Sequence, residues 1–249
     1  MLRFDIITLF PEIFEGFLRE SILGRAQKKK LISIKIHQLR DWAKDKHQTV
    51  DDRPFGGGPG MVLKIEPIFR AVQFLKRKVK NEKRKIIVIN FSPRGKNFNT
   101  AMAKKFAKYN QLIFICGRYE GIDERVSAKI ADETISMGNY ITIGGEIPAM
   151  AMAEAISRFI PGVIGKIESV QKEDYSQYTR PEVFYPNAKP EKPSGVKPRG
   201  GHATFRGPRA FTGRQSLSAK RAWTVPKVLL SGDHKKIEKW RSERKIKIG

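Results

Sequence analysis

The residues best suited to chemistry fall in two glycine-bearing segments. Cys116-Gly117-Arg118-Tyr119-Glu120-Gly121-Ile122-Asp123-Glu124-Arg125 is followed by Met137-Gly138-Asn139-Tyr140-Ile141-Thr142-Ile143-Gly144-Gly145-Glu146-Ile147-Pro148. Without a Cβ, Gly117 and Gly121 let backbone N–H and C=O groups approach a bound molecule closely. Such loops suit a cradle for something small and polar. The competing reading is a pair of tight strand-to-helix turns with no ligand.

The flanking sequence says how such loops would be held. Residues 111–116 are a continuous apolar run of buried-strand length, and Asp123 and Glu124 stand where a following helix needs an N-cap and first-turn acids. Similar short runs predict strands over 4–9, 31–37, 85–90 and 134–137. Helical periodicity is found over 11–29, 67–79, 98–109 and 147–159. Alternation of this kind predicts an α/β layer with a largely parallel sheet, where ligands bind beyond the carboxyl ends of the strands.

Composition narrows the partners. The 249 residues carry a formal charge of +24, with 40% apolar and 10% aromatic residues. Enough apolar sequence is present for a real core, and the excess of cations favours polyanions or anionic surfaces. Nucleic acid is the better fit, since no run approaches the roughly 18 apolar residues that would span a bilayer. The start of the chain, with Asp5 beside a short apolar stretch ended by Pro11, does not read as a secretory leader. One cysteine, Cys116, permits no internal disulfide and fits a reducing cytoplasm, as a small buried strand residue. The four histidines are scattered without metal-ligand spacing, so no metal site is expected. Neither a Walker-type phosphate loop nor a Gly-x-Ser-x-Gly nucleophile elbow is present.

Charge and periodicity divide the chain into 1–165, a polar linker over 166–185, and a basic region over 186–249. Residues 186–225 hold five prolines, five glycines, nine Lys/Arg and a single acid, Glu191, too little with which to build a core. Such a segment should be extended or disordered until something binds it. Phe205, Phe211 and Trp223 alternate with arginines there, a mixture suited to stacking on unpaired bases. Ser231 or Asp233 could cap a final basic helix running to about Arg244. From residue 185 onward, 17 Lys/Arg face four acids, so more than half of the excess charge lies in the last quarter. Two other basic clusters, at 25–30 and 76–85, could contact phosphates. The second reads better as a solvated face.

The two glycine segments resemble those of the bacterial tRNA (guanine-N1)-methyltransferases of the knotted SPOUT superfamily. Collinear matches extend from Ile7-Thr8-Leu9-Phe10-Pro11-Glu12 through Val50-Asp51-Asp52-Arg53-Pro54-Phe55-Gly56-Gly57-Gly58-Pro59-Gly60-Met61, Ser92-Pro93-Arg94-Gly95 and Ser157-Arg158-Phe159-Ile160-Pro161-Gly162-Val163. Gln177-Tyr178-Thr179-Arg180-Pro181 and Val228-Leu229-Leu230-Ser231-Gly232-Asp233-His234 complete the set. The resemblance implies a trefoil knot in the carboxyl half of the α/β domain, which periodicity cannot reveal. It implies S-adenosylmethionine as methyl donor, a homodimer whose active sites each draw on both chains, and transfer to N1 of the guanosine immediately 3′ of the anticodon (position 37) of tRNA. Magnesium is admitted as an aid to proton transfer.

By the same resemblance, Gly117 and the segment Met137, Gly138, Asn139, Tyr140, Ile141 and Thr142 hold the adenosine part. Ser92, Pro93, Gly144, Gly145 and Pro148 line the rest, with Tyr119 and Glu120 facing the same pocket. Core packing is the alternative for Tyr140, Ile141 and Ile143. Asp51, Asp52 and Arg53 belong to a loop that meets RNA and the second subunit, or else to a solvated turn. Arg180, Ser231 and His234 join the RNA-contacting set.

Guanine N1 carries a proton at neutral pH, so methylation there needs a carboxylate near N1 and a cation or N–H donor toward O6. In the family the base is an Asp in a Glu-Asp-Ser-Phe linker motif, and the Arg matched by Arg158 supports the guanine; a structural ion pair is the other reading of Arg158. Here the linker departs from the pattern, reading Glu168-Ser169-Val170-Gln171-Lys172-Glu173-Asp174-Tyr175 and falling several residues short of it. An ungapped count selects Glu173, whereas matching the Glu-Asp pair selects Asp174, the preferred candidate. A third alignment joins Asp174 to the acid that precedes the Gln177–Pro181 segment. The family pattern lacks a counterpart of 187–222 and continues with more helix beyond Trp240, so this insertion is expected to stand in for part of the RNA-binding region. Two other readings remain: a related knotted methyltransferase acting on ribosomal RNA or a ribose hydroxyl, and a non-enzymatic basic RNA-binding protein.

Overall fold

The computed structural model describes residues 1–77, 84–165, 176–185 and 222–244. These form two compact units, one comprising the described residues up to 165 and the other those from 176 onward.

The first unit is built on a five-stranded, wholly parallel sheet with strand order β2-β1-β6-β5-β7. Its strands are β1 (Leu2–Thr8), β2 (Ile32–Gln38), β5 (Ile86–Asn97), β6 (Gln111–Ile115) and β7 (Glu133–Ser136). Every residue of β6 is buried, as expected of a strand covered on both faces. Side chains alternate across the sheet. Phe4, Ile6, Ile87, Ile89, Leu112 and Phe114 pack on one face against α2 (Ser21–Lys28), α4 (Thr100–Phe106) and α6 (Glu146–Ser157). On the other face, Ile7, Val88, Ile113 and Ile115 meet Ile68, Ala71, Val72 and Leu75 of α3 (Ile65–Arg77) and Val126 of α5 (Glu124–Lys129). Between β2 and α3 lies a small antiparallel pair, β3 (Asp51–Asp52) and β4 (Val62–Leu63).

The structure changes several expected boundaries. The helix expected over 11–29 is three pieces: a 3-10 turn at Pro11–Phe14, α1 (Glu15–Arg19) and α2. Glu20 is extended and Ser21 has φ 55°, so the chain doubles back there. A Cβ on Gly24 would lie 2.2 Å from the Arg19 carbonyl oxygen, so only glycine permits this packing of the two turns. Strand β5 runs seven residues beyond its expected end. Ile135 pairs first with Phe91 and again with Lys96, which throws Ser92 to Gly95 out as a bulge at the carboxyl edge. The helix expected over 98–109 begins only at Thr100, where Asn99 accepts the Met102 N–H, and it stops at Phe106.

In the second unit, Val183–Phe184 and Trp223–Thr224 form a short antiparallel pair, with Phe184 and Trp223 ring centroids 5.6 Å apart. Trp223 thus has a partner inside the fold, although it stays two-thirds exposed. Helix His234–Ser242 is capped by Asp233, which accepts from the N–H groups of Lys235 and Lys236. These bonds, with Lys236 beside it, hold the Asp233 carboxyl below its usual range. Ser231, the other candidate cap, instead donates to the Val228 carbonyl and closes the preceding helix, Lys227–Leu230. Phe205, Phe211 and the rest of 186–221 lie outside the described residues, as do 166–175 with Glu173 and Asp174.

One polar cluster lies inside the sheet. Asp5 on β1 is fully buried and holds Arg3 Nη2 at 2.6 Å, His37 Nε2 at 2.7 Å and Gln111 Nε2 at 2.8 Å, tying β1 to both neighbouring strands. Burial alone would raise its pKa. Hydrogen bonds from His37 and Arg3, with their charges, outweigh that and hold the carboxyl below the usual range. A carboxyl depressed in the fold stabilises above its unfolded pKa of about 3.9, and that stability is lost as pH falls through the lower folded value. Asp5→Ala should therefore cost about 3–5 kcal/mol at pH 7, since it strands a partly buried arginine. In urea titrations from pH 7 to pH 2, Asp5→Asn should flatten the acid limb of the stability profile.

Candidate active site

Strands β5, β6 and β7 end side by side, and the loops that leave them enclose a cleft of about 500 Å³. That is within the range of small-molecule sites. Of the residues expected there, Ser92 and Pro93 come from the β5 bulge, Gly117, Tyr119 and Glu120 from the loop after β6, and Met137, Tyr140, Ile141, Thr142, Gly144, Gly145 and Pro148 from the loop into α6. Gly138 and Asn139 do not line it. Gly138, at φ 148°, is the hinge on which Tyr140 folds back, and a Cβ there would strike the tyrosine ring at 2.7 Å. Asn139 is exposed.

The two glycine loops are joined directly. Gly145 N–H donates to the Gly117 carbonyl at 3.0 Å, and a Cβ on Gly145 would come within 2.6 Å of Cys116 Cα and 2.9 Å of Gly117 N. Beside this contact, Glu146 is buried in the first turn of α6. It accepts from Thr8 Oγ1 at 2.7 Å and lies 3.0 Å from Arg118 Nε, an ion pair whose N–H is not aligned on the carboxylate oxygen. The Arg118 guanidinium also covers the Phe10 ring at 4.7 Å. Burial, reinforced by the Glu146 charge, pushes the Cys116 thiol well up, so it stays protonated and unreactive.

Core packing does not account for the apolar loop residues. Tyr140, Ile141 and Ile143 are 61%, 83% and 88% exposed. Arg158 is not at the cleft of its own chain. It caps the carboxyl end of α6, whose amino end forms the cleft wall, and 12 residues of helix separate the two ends by about 18 Å. Past it, Gly162 packs on Leu31, at the amino edge of the sheet. Asp51 and Arg53 lie outside the cleft lining, yet their loop returns to the rim. Glu120 N–H donates to the Met61 carbonyl, and Gly60 packs against the Glu120 side chain. Between them Phe55 is fully exposed on a run of positive-φ glycines. Arg180, Ser231 and His234 are exposed in the second unit.

A family model described as tRNA (Guanine-1)-methyltransferase TrmD matches residues 2–206. The chain belongs to this family. Proteins named tRNA (guanine-N(1)-)-methyltransferase from Geobacter sp. (strain M21) and Dictyoglomus turgidum are 42% and 43% identical to it, over 99% of this chain and 86% of each relative. The crystal structure of tRNA (m1G37) methyltransferase from Aquifex aeolicus superposes with a TM-score of 0.68 at 34% identity, covering 96% of this chain and 87% of that one.

Against this TrmD background, the sequence reading missed part of the cleft wall. Asn90, Arg94, Ile122, Glu124 and Ser127 also line it. One signal was available. Asn90 is the only polar residue in the run Ile86-Ile87-Val88-Ile89-Asn90-Phe91, which otherwise reads as plain core.

The contact between the loops gives a direct test. Gly145→Ala forces a methyl group into backbone that cannot yield and should lower stability by about 1–3 kcal/mol in urea titration. Gly16→Ala in α1, with nothing within 4 Å, should instead be neutral or stabilising by up to about 1 kcal/mol.

Proposed function

We propose that this TrmD-family chain methylates N1 of the guanosine immediately 3′ of the anticodon, position 37, in tRNA, with S-adenosylmethionine as donor. The observation that carries this reading is the cleft made by the interlocked loops at Gly117 and Gly145 on a chain of net charge +24. The cleft has the size for such a donor, and its glycines leave backbone groups open to a close ligand. S-adenosylmethionine would supply a methyl group on a sulfonium, the S–CH3 bond breaking as the nitrogen gains the methyl and a neutral thioether leaving. Ser92, Pro93, Gly117, Tyr119, Glu120 and the Met137, Tyr140, Ile141, Thr142, Gly144, Gly145 and Pro148 wall would hold it so that the methyl carbon faces the acceptor nitrogen. Gly138 and Asn139 would act by shaping that wall.

The remaining steps belong to side chains. Asp174, or Glu173 in its place, takes the N1 proton. Arg158 offsets the charge that develops toward O6 as N1 bonds to the methyl carbon. Asp51, Arg53, Arg180, Ser231 and His234 would position the RNA. Among the described residues no three His, Cys, Asp or Glu side chains stand close enough to hold a metal ion.

A homodimer reconciles the placement of Arg158 with this chemistry. A side chain one helix length from its own cleft can serve the cleft of a second copy. Tyr140, Ile141, Ile143 and Ile147, all exposed around the mouth, offer the apolar surface such a copy would cover. The direct contact of the loops after β6 and β7 at Gly117 and Gly145 also suits a knot in this half of the domain. No helix among the described residues is long and apolar enough to cross a membrane, and a cytoplasmic site of action fits the tRNA substrate.

Asp174→Asn should abolish turnover with cofactor affinity retained; full activity in that variant, with loss in Glu173→Gln, would move the role to Glu173. Mixing Arg158→Ala chains with chains made cofactor-dead at Gly117 tests the shared site. Random exchange should restore about a quarter of wild-type methylation, because each mixed dimer regains one intact site. No recovery would place Arg158 in the service of its own chain.

A further inference from the structure

Asn90 is an anomaly in the middle of the sheet. It lies on β5 between β6 and β7, pairing with Ile115 and Thr134, and is only 2% exposed. Its Nδ2 donates to Ser127 Oγ at 3.0 Å, whereas its Oδ1 has no partner among the described residues. Leaving a buried amide oxygen unpaired costs about 1–3 kcal/mol, and a fold does not need a polar group in that position. The strands on either side close its flanks, and Asn90 lines the cleft.

The surroundings indicate what would satisfy it. Glu120 and Glu124 line the same cleft. Glu124 is neutralised by Arg94 at 2.5 Å, while the Glu120 carboxylate makes no ion pair among the described residues. An unpaired buried carbonyl oxygen in a cleft that also holds an unneutralised carboxylate complements a group that both donates a hydrogen bond and carries positive charge. We infer that Asn90 is a ligand-recognising residue whose Oδ1 accepts an N–H from the α-ammonium group of the bound methyl donor, with Ser127 holding the amide in orientation. This rests on the donor proposed above. On that molecule the sulfonium has charge but no N–H, and the adenine amine and ribose hydroxyls are neutral. Only the ammonium combines the two properties.

Calorimetry on the full chain separates the possibilities, with S-adenosylhomocysteine and its deaminated analogue as ligands. Wild type should bind the intact ligand about tenfold more tightly than the deaminated one. Asn90→Leu should shrink that preference by weakening only the intact ligand. Asn90→Asp, which keeps an acceptor and adds charge, should hold or widen the preference, and it serves as the test if the leucine variant does not fold. Equal weakening of both ligands by Asn90→Leu, no change in either, or loss of the preference in Asn90→Asp would each overturn the inference. Failure of the wild-type chain to bind either ligand would instead overturn the functional reading on which it rests.

Discussion

Gly117 and Gly145 meet where the loops leaving β6 and β7, on either side of β5, must share a space too narrow for a side chain. The 3.0 Å hydrogen bond between them is ordinary in strength, but its surroundings make it decisive. It seats α6 against the end of β6, and this brings Glu146 into the interior beside Arg118 and Thr8. A buried carboxylate is tolerable only with such partners. The cleft wall from Met137 to Pro148 is therefore set by a steric constraint first and an ion pair second. Small residues on the buried side of α6, among them Ala149 and Ala153, let the helix lie close enough for both.

This arrangement separates two tasks. Holding a methyl donor requires a rigid cleft, and the parallel sheet supplies one on a single chain. Capturing RNA requires long-range attraction and adaptable contacts, and more than half of the chain's excess positive charge lies from residue 185 onward. Phosphate contacts from such a region position the substrate without reading its bases, so recognition of one guanosine must come from groups near the cleft. In the proposed reaction, proton removal falls to a linker acid and charge balance to Arg158. On this account catalysis occurs only where cleft, linker and a second chain meet.

Much of the fold was legible in sequence because it follows from burial. The apolar run ending at Cys116 has the length of a fully covered strand and forms one, and Asp123 and Asp233 cap helices as their side chains dictate. What escaped were features set by tertiary contact. The break at Glu20 depends on Gly24 approaching the Arg19 carbonyl. The bulge from Ser92 to Gly95 depends on β7 pairing twice at Ile135. In the cleft, glycine and aromatic residues stood out along the chain, whereas Asn90 was hidden in a hydrophobic strand and Ser127 in a short helix. Arg158 was legible as a residue type but not as a position, since nothing in the sequence places it a helix length from the cleft of its own chain.

The central claim is that the interlocked loops present a methyl group to one ring nitrogen of one tRNA base. Incubating the pure protein with isotopically labelled S-adenosylmethionine and an unmodified tRNA transcript, then mapping the label by nucleoside mass spectrometry, tests it most directly. The account predicts one labelled product, 1-methylguanosine, at position 37, and none in a transcript with adenosine there. Label on another atom or another nucleotide, or none at any ionic strength, would contradict it.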